Sequence, residues 1–147
     1  AMKTKILAFV CLSLFSLVAT AQSALQVKDI LVTPSIEIDS ISGLPVDNDV
    51  ENFDVFFKVN ELSAISNVHI LVGTSPNSGD ILLIEANLLE NDGNYHLVYN
   101  GFSELLIDNI IKVKISLNNS QYASYSYISA YVSNASQQTS NVLIFTK

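Results

Sequence analysis

The sequence predicts a single all-β domain, an antiparallel sandwich of about seven or eight strands. Two observations favour this fold. Apolar and polar residues alternate with a period of two in several segments, and clusters of Gly, Pro, Asn and Asp separate those segments. Short strands at this spacing, without amphipathic helices between them, are typical of two sheets packed face to face.

The first four strands follow from the alternation. In LQVKDILVT (25–33) the apolar residues change parity after Val27, which indicates a bulge or a strand that switches sheets. FDVFFKV (53–59) and NVHILVG (67–73) each have one apolar face and one polar face, as half-buried antiparallel strands do. DILLIEANLL (80–89) is apolar on both faces for several residues, and its turn-rich flanks favour a strand over a short helix.

The next elements are separated by turns. Asp92-Gly93 is a favoured pair for a tight hairpin, and YHLVY (95–99) after it alternates as a strand. FSELLIDN (102–109) is expected to make a single helical turn. IIKVKISL (110–117) then alternates apolar and polar residues, which predicts another half-buried strand.

The segment SYSYISAYVS (124–133) has small and apolar residues at even positions, which are expected to face the core. That register places three tyrosines on the outer face: Tyr125, Tyr127 and Tyr131. Tyrosine suits ligand binding because it offers a large area and a polar tip, but aromatic rows also stabilise sheets through cross-strand pairs. We expect the row to be mainly structural and also a surface for a partner. Alternatively, Tyr122 or Tyr125 packs inward at a corner.

The segment YSYISAYVSNASQQTSNVLIF (125–145) resembles the closing F–G hairpin of fibronectin type III and related immunoglobulin-like domains. In that hairpin an aromatic-rich strand leads through a polar turn to Ser-Asn-x-hydrophobic, as at Ser140-Asn141 here. The resemblance implies an immunoglobulin-like sandwich, a fold that hosts many unrelated functions. The chain lacks the family's usual core Trp, and its polar turn lacks the usual Gly.

Residues 1–21 have the plan of a secretory signal peptide: basic residues, an apolar stretch, then Ala-Thr-Ala. Cleavage after Ala21 would release residues 22–147 as the β-sandwich domain. Ala1, which precedes Met2, is interpreted as an addition to the natural start.

The composition of the exported domain disfavours several partners. Removal of the signal leaves five lysines and no arginine against 14 acidic residues, a net charge of −9. Nucleic acids and anionic membrane surfaces both require basic residues, so neither is expected as a partner, and nor is membrane insertion. Cys11, the single cysteine, lies in the signal, which excludes disulfides and thiol chemistry from the domain. Export without disulfides favours the bacterial periplasm, cell surface or extracellular space.

The ATAQ processing site, the absence of arginine and the lean towards Asn, Ser, Ile and Lys resemble secreted proteins of the Bacteroidetes. The resemblance implies that Asp39-Ser40-Ile41 matches the sequon that those organisms glycosylate on the hydroxyl oxygen. We therefore expect O-glycosylation at Ser40, with a chance match as the alternative.

Reactive groups are scarce. His69 and His96 each lie between apolar strand residues and are expected to face solvent, and no G-x-S-x-G motif is present. Paired carboxylates could hydrolyse glycosides if they shared a cleft, and the acidic residues considered for that role are Glu61, Glu85, Glu90 and Glu104. We expect these to be solvated surface groups and the protein not to be an enzyme; a small hydrolase is the alternative.

The acidic loop before the second strand suits calcium, which takes six to eight oxygen ligands. Its carboxylates are Asp47, Asp49, Glu51 and Asp54, with Asn48 and Asn52 among them. The spacing is not that of an EF-hand loop. The sequence thus predicts no cofactor other than calcium, with an acidic turn as the alternative.

These observations favour a secreted or cell-surface module that acts through protein–protein contact, as an adhesin or as an accessory subunit of an envelope assembly. An exposed sheet edge is the expected docking device, by strand addition. The alternative function is a carbohydrate-binding module that uses the tyrosine row.

Overall fold

A computed structural model describes residues 25–35, 41–43, 50–75, 81–118, 120 and 124–147. The predicted signal peptide lies outside the described residues, as do six single positions discussed above: Asp39, Ser40, Asp47, Asn48, Asp49 and Tyr122.

Nine strands lie in the described part of the chain: β1 (Val27–Pro34), β2 (Val50–Val59), β3 (Asn67–Gly73), β4 (Ile81–Asn91), β5 (Asn94–Tyr99), β6 (Phe102–Leu105), β7 (Ile110–Asn118), β8 (Tyr127–Ser133) and β9 (Leu143–Thr146). A 3₁₀ turn, Leu62–Ala64, connects β2 to β3. The strands form two antiparallel sheets, β1-β2-β7 and β6-β5-β4-β3-β8-β9. The predicted antiparallel β-sandwich is confirmed.

The core lies between the two sheets and is built from the alternating apolar positions. On the small sheet, Val55, Phe57 and Val113 are at most 1% exposed. On the large sheet, Ile70 and Leu97 are fully buried in the same cluster. Burial of each such side chain contributes about 1.5–3 kcal/mol, so this cluster is the main source of stability.

Tight turns join β4, β5, β6 and β7 in sequence. The two central residues of each turn have positive φ, which matches the twist of a type I′ hairpin: Asp92-Gly93 (51° and 81°), Asn100-Gly101 (47° and 78°) and Asp108-Asn109 (57° and 58°). Asp and Asn tolerate this conformation better than other non-glycine residues. The predicted hairpin at Asp92-Gly93 is confirmed.

The prediction of a helical turn at residues 102–109 is wrong. Phe102–Leu105 instead forms β6, which pairs with β5 through Tyr99↔Phe102 and His96↔Leu105. The turns on either side impose this geometry, because each reverses the chain within two residues and leaves a short extended segment between them. This extra strand raises the count above the predicted seven or eight.

The irregularity predicted in the first strand is present. The pairing of β1 with β2 shifts register between Lys28 and Leu31, where Asp29 has a φ of 59°. The bulge restores the phase, so that both Val27 and Val32 pair with inward residues of β2.

Candidate docking surface

The predicted tyrosine row divides into separate environments. The even positions of β8 are buried, as expected: Ile128, Ala130 and Val132. Tyr127 and Tyr131 are half-buried on the opposite face of that strand. Tyr125 precedes β8 and packs against the core, as in the inward alternative. The three rings therefore do not form one continuous outer platform.

Tyr131 belongs to a small network on the outer face of the large sheet. Its ring stacks on that of His69 at 4.5 Å between centroids and 13° between planes. The His69 Nε2 lies 2.9 Å from the Ser133 Oγ, and burial lowers the pKa of His69 while nearby Glu85 partly offsets that effect. In the described part of the chain no carboxylate is hydrogen-bonded to His69, so the network does not form a Ser-His-acid triad. It fastens β3 to β8.

The carboxylates considered for catalysis have separate surroundings. Glu61 accepts a hydrogen bond from Ser63, Glu90 accepts one from the Gly93 amide, and Glu104 forms an ion pair with Lys112. Glu85 lies on β4 opposite His69. Three of the four carboxylates thus have a partner close to them in the fold.

Only two members of the predicted calcium set lie among the described residues. Glu51 and Asp54 are three positions apart on β2, so their side chains leave opposite faces of the sheet. The described residues contain no cluster of three or more His, Cys, Asp or Glu side chains. The Asp54 Oδ1 is buried and has no hydrogen-bond partner among them. Calcium binding at the loop therefore remains a prediction.

The edge of the small sheet at β1 is partly closed. The Asn141 side chain accepts a hydrogen bond from the Val27 N–H at 3.0 Å and donates one to the Val27 carbonyl at 2.9 Å. Next to it, the Ser140 hydroxyl accepts from the Val132 N–H and donates to the Asn141 carbonyl. An amide that bonds both main-chain groups occupies them as a neighbouring strand would.

The opposite side of the sandwich carries the edges of β6 and β7 that have no partner strand among the described residues, and we call it the open side. Four large apolar side chains in residues 102–110, which run from β6 to the start of β7, are exposed: Phe102 (61%), Leu105 (50%), Ile107 (64%) and Ile110 (36%). Leu89 is also exposed and lies in the same cross-strand row, through Leu89↔His96 and His96↔Leu105. Among the described residues no strand pairs with these two edges, and the exposed apolar side chains lie on both faces of β6: Phe102 on the inner face, and Leu105 with Leu89 on the outer one.

A crevice of about 400 Å³ enters the sandwich at the open side. Its described walls include Phe53 and Ile84 from the core, Tyr99 and Phe102 from the large sheet, and Lys114 and Ser116 from β7. The Tyr99 hydroxyl accepts a hydrogen bond of 2.8 Å from the Lys114 N–H, and burial raises the pKa of this phenol. The crevice is thus lined by both apolar and polar residues.

Two lysines lie on β7, and one of them, Lys114, lines the crevice. Lys112 lies 3.3 Å from Glu104, and its ammonium sits 6.0 Å from the centre of the Phe56 ring. Lys114 is exposed and makes no ion pair with a described residue. Its neighbour across β2–β7 is Asp54.

The apolar residues of the open side are not evident from the sequence. Phe102, Leu105 and Ile107 lie in the segment for which the sequence predicts a helical turn, and that prediction gives no indication of their exposure. The signal that could have found them is the Asn100-Gly101 pair, which favours a hairpin as strongly as Asp92-Gly93 does.

Within the described residues, no helix is long and apolar enough to cross a membrane. No protein family, no curated protein and no solved structure matches this chain.

Proposed function

We propose that this protein is a non-catalytic binding module that docks another protein through the open side of its sandwich. The observation that carries the proposal is the set of exposed apolar side chains between Phe102 and Ile110, at a sheet edge with which no described strand pairs. Phe102 leaves the inner face of β6 and Leu105 the outer one, so a partner that pairs with this edge can contact both side chains. An unpaired strand edge offers main-chain groups for such pairing.

The energetics support a docking role. Full burial of an exposed Leu, Ile or Phe side chain contributes about 1.5–3 kcal/mol, so covering the exposed halves of Phe102, Leu105 and Ile107 contributes a few kcal/mol. Main-chain pairing along β6 or β7 adds specificity. The signal-like N-terminal segment supports a contact outside the cytoplasm, with the protein acting as an adhesin or an accessory subunit of an envelope assembly.

The relation to fibronectin type III domains is part of this proposal. It is supported by Ser140 and Asn141, the residues that carry the resemblance, because their side chains fasten the main chain at Val132 and Val27.

Carbohydrate binding has weaker support. A sugar ring stacks on an open aromatic face, and His69 covers one face of Tyr131. Tyr125 is turned towards the core.

The test is a cross-linked capture of surface proteins from the source organism, with tagged protein as bait and mass spectrometry as readout. Leu105→Lys places a charge in the open side, and we expect it to reduce recovery of the main partner. Leu31→Lys is the matched control, because Leu31 is also an exposed strand leucine (54% against 50%) but lies on β1. Equal recovery with both variants would remove the open side as the docking surface.

A further inference from the structure

Phe102 faces the interior of the sandwich and yet is exposed. It lies directly opposite Tyr99 in the β5–β6 pair, and directly paired side chains project from the same face. Tyr99 points into the core and is 5% exposed, whereas Phe102 is 61% exposed. No described strand therefore covers the inner face of β6.

The small sheet has no described strand that lies beneath β6. In the described part of the chain β7 has β2 as its only neighbour, and the hydroxyl of Tyr99, on β5, reaches the Lys114 N–H of β7. β7 thus lies beneath β5. A further strand beside β7 would lie beneath β6, in contact with Phe102 and with the apolar wall of the crevice.

The main chain of β7 is arranged to accept such a strand. The Lys114 N–H points away from β2, since it bonds to Tyr99. In an antiparallel ladder the pattern repeats every second residue, so the main-chain groups of Lys112 and Ser116 also face the free edge. An incoming strand can pair with Lys114 and Ser116 once it displaces the Tyr99 hydroxyl and the Glu104–Lys112 ion pair, which also joins β6 to β7.

The lysines on the outer face of the small sheet indicate which side chains the incoming strand should carry on its own outer face. Four of the five lysines that follow the predicted signal share the outer face of the small sheet: Lys28, Lys58, Lys112 and Lys114. A strand beside β7 places alternate side chains next to Lys112 and Lys114. Acidic residues at those positions would pair with Lys114, whereas basic ones would repel it.

We propose that the occupant of the open side is an extended segment of another polypeptide that adds to β7, with apolar residues directed under β6 and acidic residues directed beside the lysines. The inference rests on the proposed function and names the partner segment at that same surface. It requires no change in the β2–β7 ladder.

The probe is a labelled synthetic peptide of eight residues in which valine alternates with glutamate, measured by fluorescence anisotropy with the purified protein. We expect saturable binding that is lost when the peptide is N-methylated at every second residue, since methylation removes the donors that pair with β7. Equal binding of the methylated peptide would overturn strand addition.

Two protein variants locate the site. Lys114→Glu should weaken binding at least about tenfold, because like charges then face each other, and Lys28→Glu should leave it unchanged. A peptide with lysine in place of glutamate should prefer the Lys114→Glu protein. Ser116→Pro removes the N–H on the free side and also the hydrogen bond from the Ser116 hydroxyl to Asn52, which Ser116→Ala removes alone. Ser116→Pro should therefore weaken binding more than Ser116→Ala, while the melting temperature shows an intact fold.

The outcomes separate the two proposals. An unbound peptide, or equal effects of Lys114→Glu and Lys28→Glu, overturns the inference, and the capture experiment with Leu105→Lys still decides the proposed function. A dimer of this chain that Ser116→Pro dissociates would identify a second copy as the occupant, which also overturns the acidic segment.

Discussion

At the scale of single residues, Tyr99 has two roles that oppose each other. Its hydroxyl links β5 to β7 across the core, and the same hydroxyl occupies the N–H that an added strand would use. The phenylalanine variant keeps the ring in the core. We expect Tyr99→Phe to lower the free energy of unfolding by about 0.5–1.5 kcal/mol, the net value of one hydrogen bond.

The same variant should bind the alternating peptide as tightly as the natural protein or more tightly, because the competing hydroxyl is gone. Urea unfolding and peptide anisotropy on one preparation give both values. A variant of unchanged stability with weaker peptide binding would mean that the phenol itself contacts the ligand.

His69 predicts a pH dependence of stability. Burial lowers the pKa of His69 below the ordinary 6.5, so the folded state favours the neutral ring. The unfolded chain then binds more protons on acidification, and this contribution to stability is present above the ordinary pKa and is lost as the pH falls through the lowered one.

We therefore expect His69→Gln to reduce the loss of unfolding free energy between about pH 7.5 and about pH 5. His96→Gln, which changes a histidine on β5, is the control. The measurement is urea unfolding at several pH values, and identical slopes for the His69 variant and the natural protein would contradict the explanation.

At the scale of elements, the alternation of apolar and polar residues predicted the strands that bury one face. It failed where a strand buries neither of its faces. β2, β3 and β7 bury every second side chain, so the period of two is visible in their sequences. β6 buries none of its four side chains, and nothing in its own residues distinguishes it from a turn. The bulge in β1 was predictable because it shifts the apolar phase.

The candidate site was less accessible to sequence analysis than the strands. Which strand becomes an edge depends on the order of strands in the sheet, and local alternation carries no information on that order. The outward position of Tyr131 follows from the period of β8, but its partner His69 comes from the pairing of β3 with β8.

The closed edge at β1 gives a prediction about elements. Asn141 makes two hydrogen bonds to the main chain of Val27, and its loss leaves both groups without that partner. We expect Asn141→Ala to lower the free energy of unfolding by about 1–3 kcal/mol and to speed hydrogen exchange at the Val27 amide. Asn94→Ala, at an exposed position of β5, is the control. Slow exchange in the Asn141 variant would show that another group closes this edge.

At the scale of the whole molecule, the charge on the binding face opposes the charge of the chain. The domain that follows the predicted signal has a net charge of −9, whereas its lysines gather on the outer face of the small sheet. An acidic strand is therefore repelled at long range and attracted only near Lys112 and Lys114. At physiological salt the interaction between charges is largely screened beyond about 8 Å. Salt therefore weakens the long-range repulsion and the short-range attraction to different degrees.

The last prediction follows from this separation. When salt is raised from about 0.02 M to about 0.5 M, the Debye length falls from a few tens of ångströms to a few ångströms. We expect association of the valine–glutamate peptide to become faster, because long-range repulsion is screened, and dissociation to become faster as well, because the contact with Lys114 weakens. Stopped-flow anisotropy measures both rates, and a valine–glutamine peptide is the control that should respond to neither change. Association that slows with added salt would show that the lysine face, and not the net charge, governs the approach of the partner.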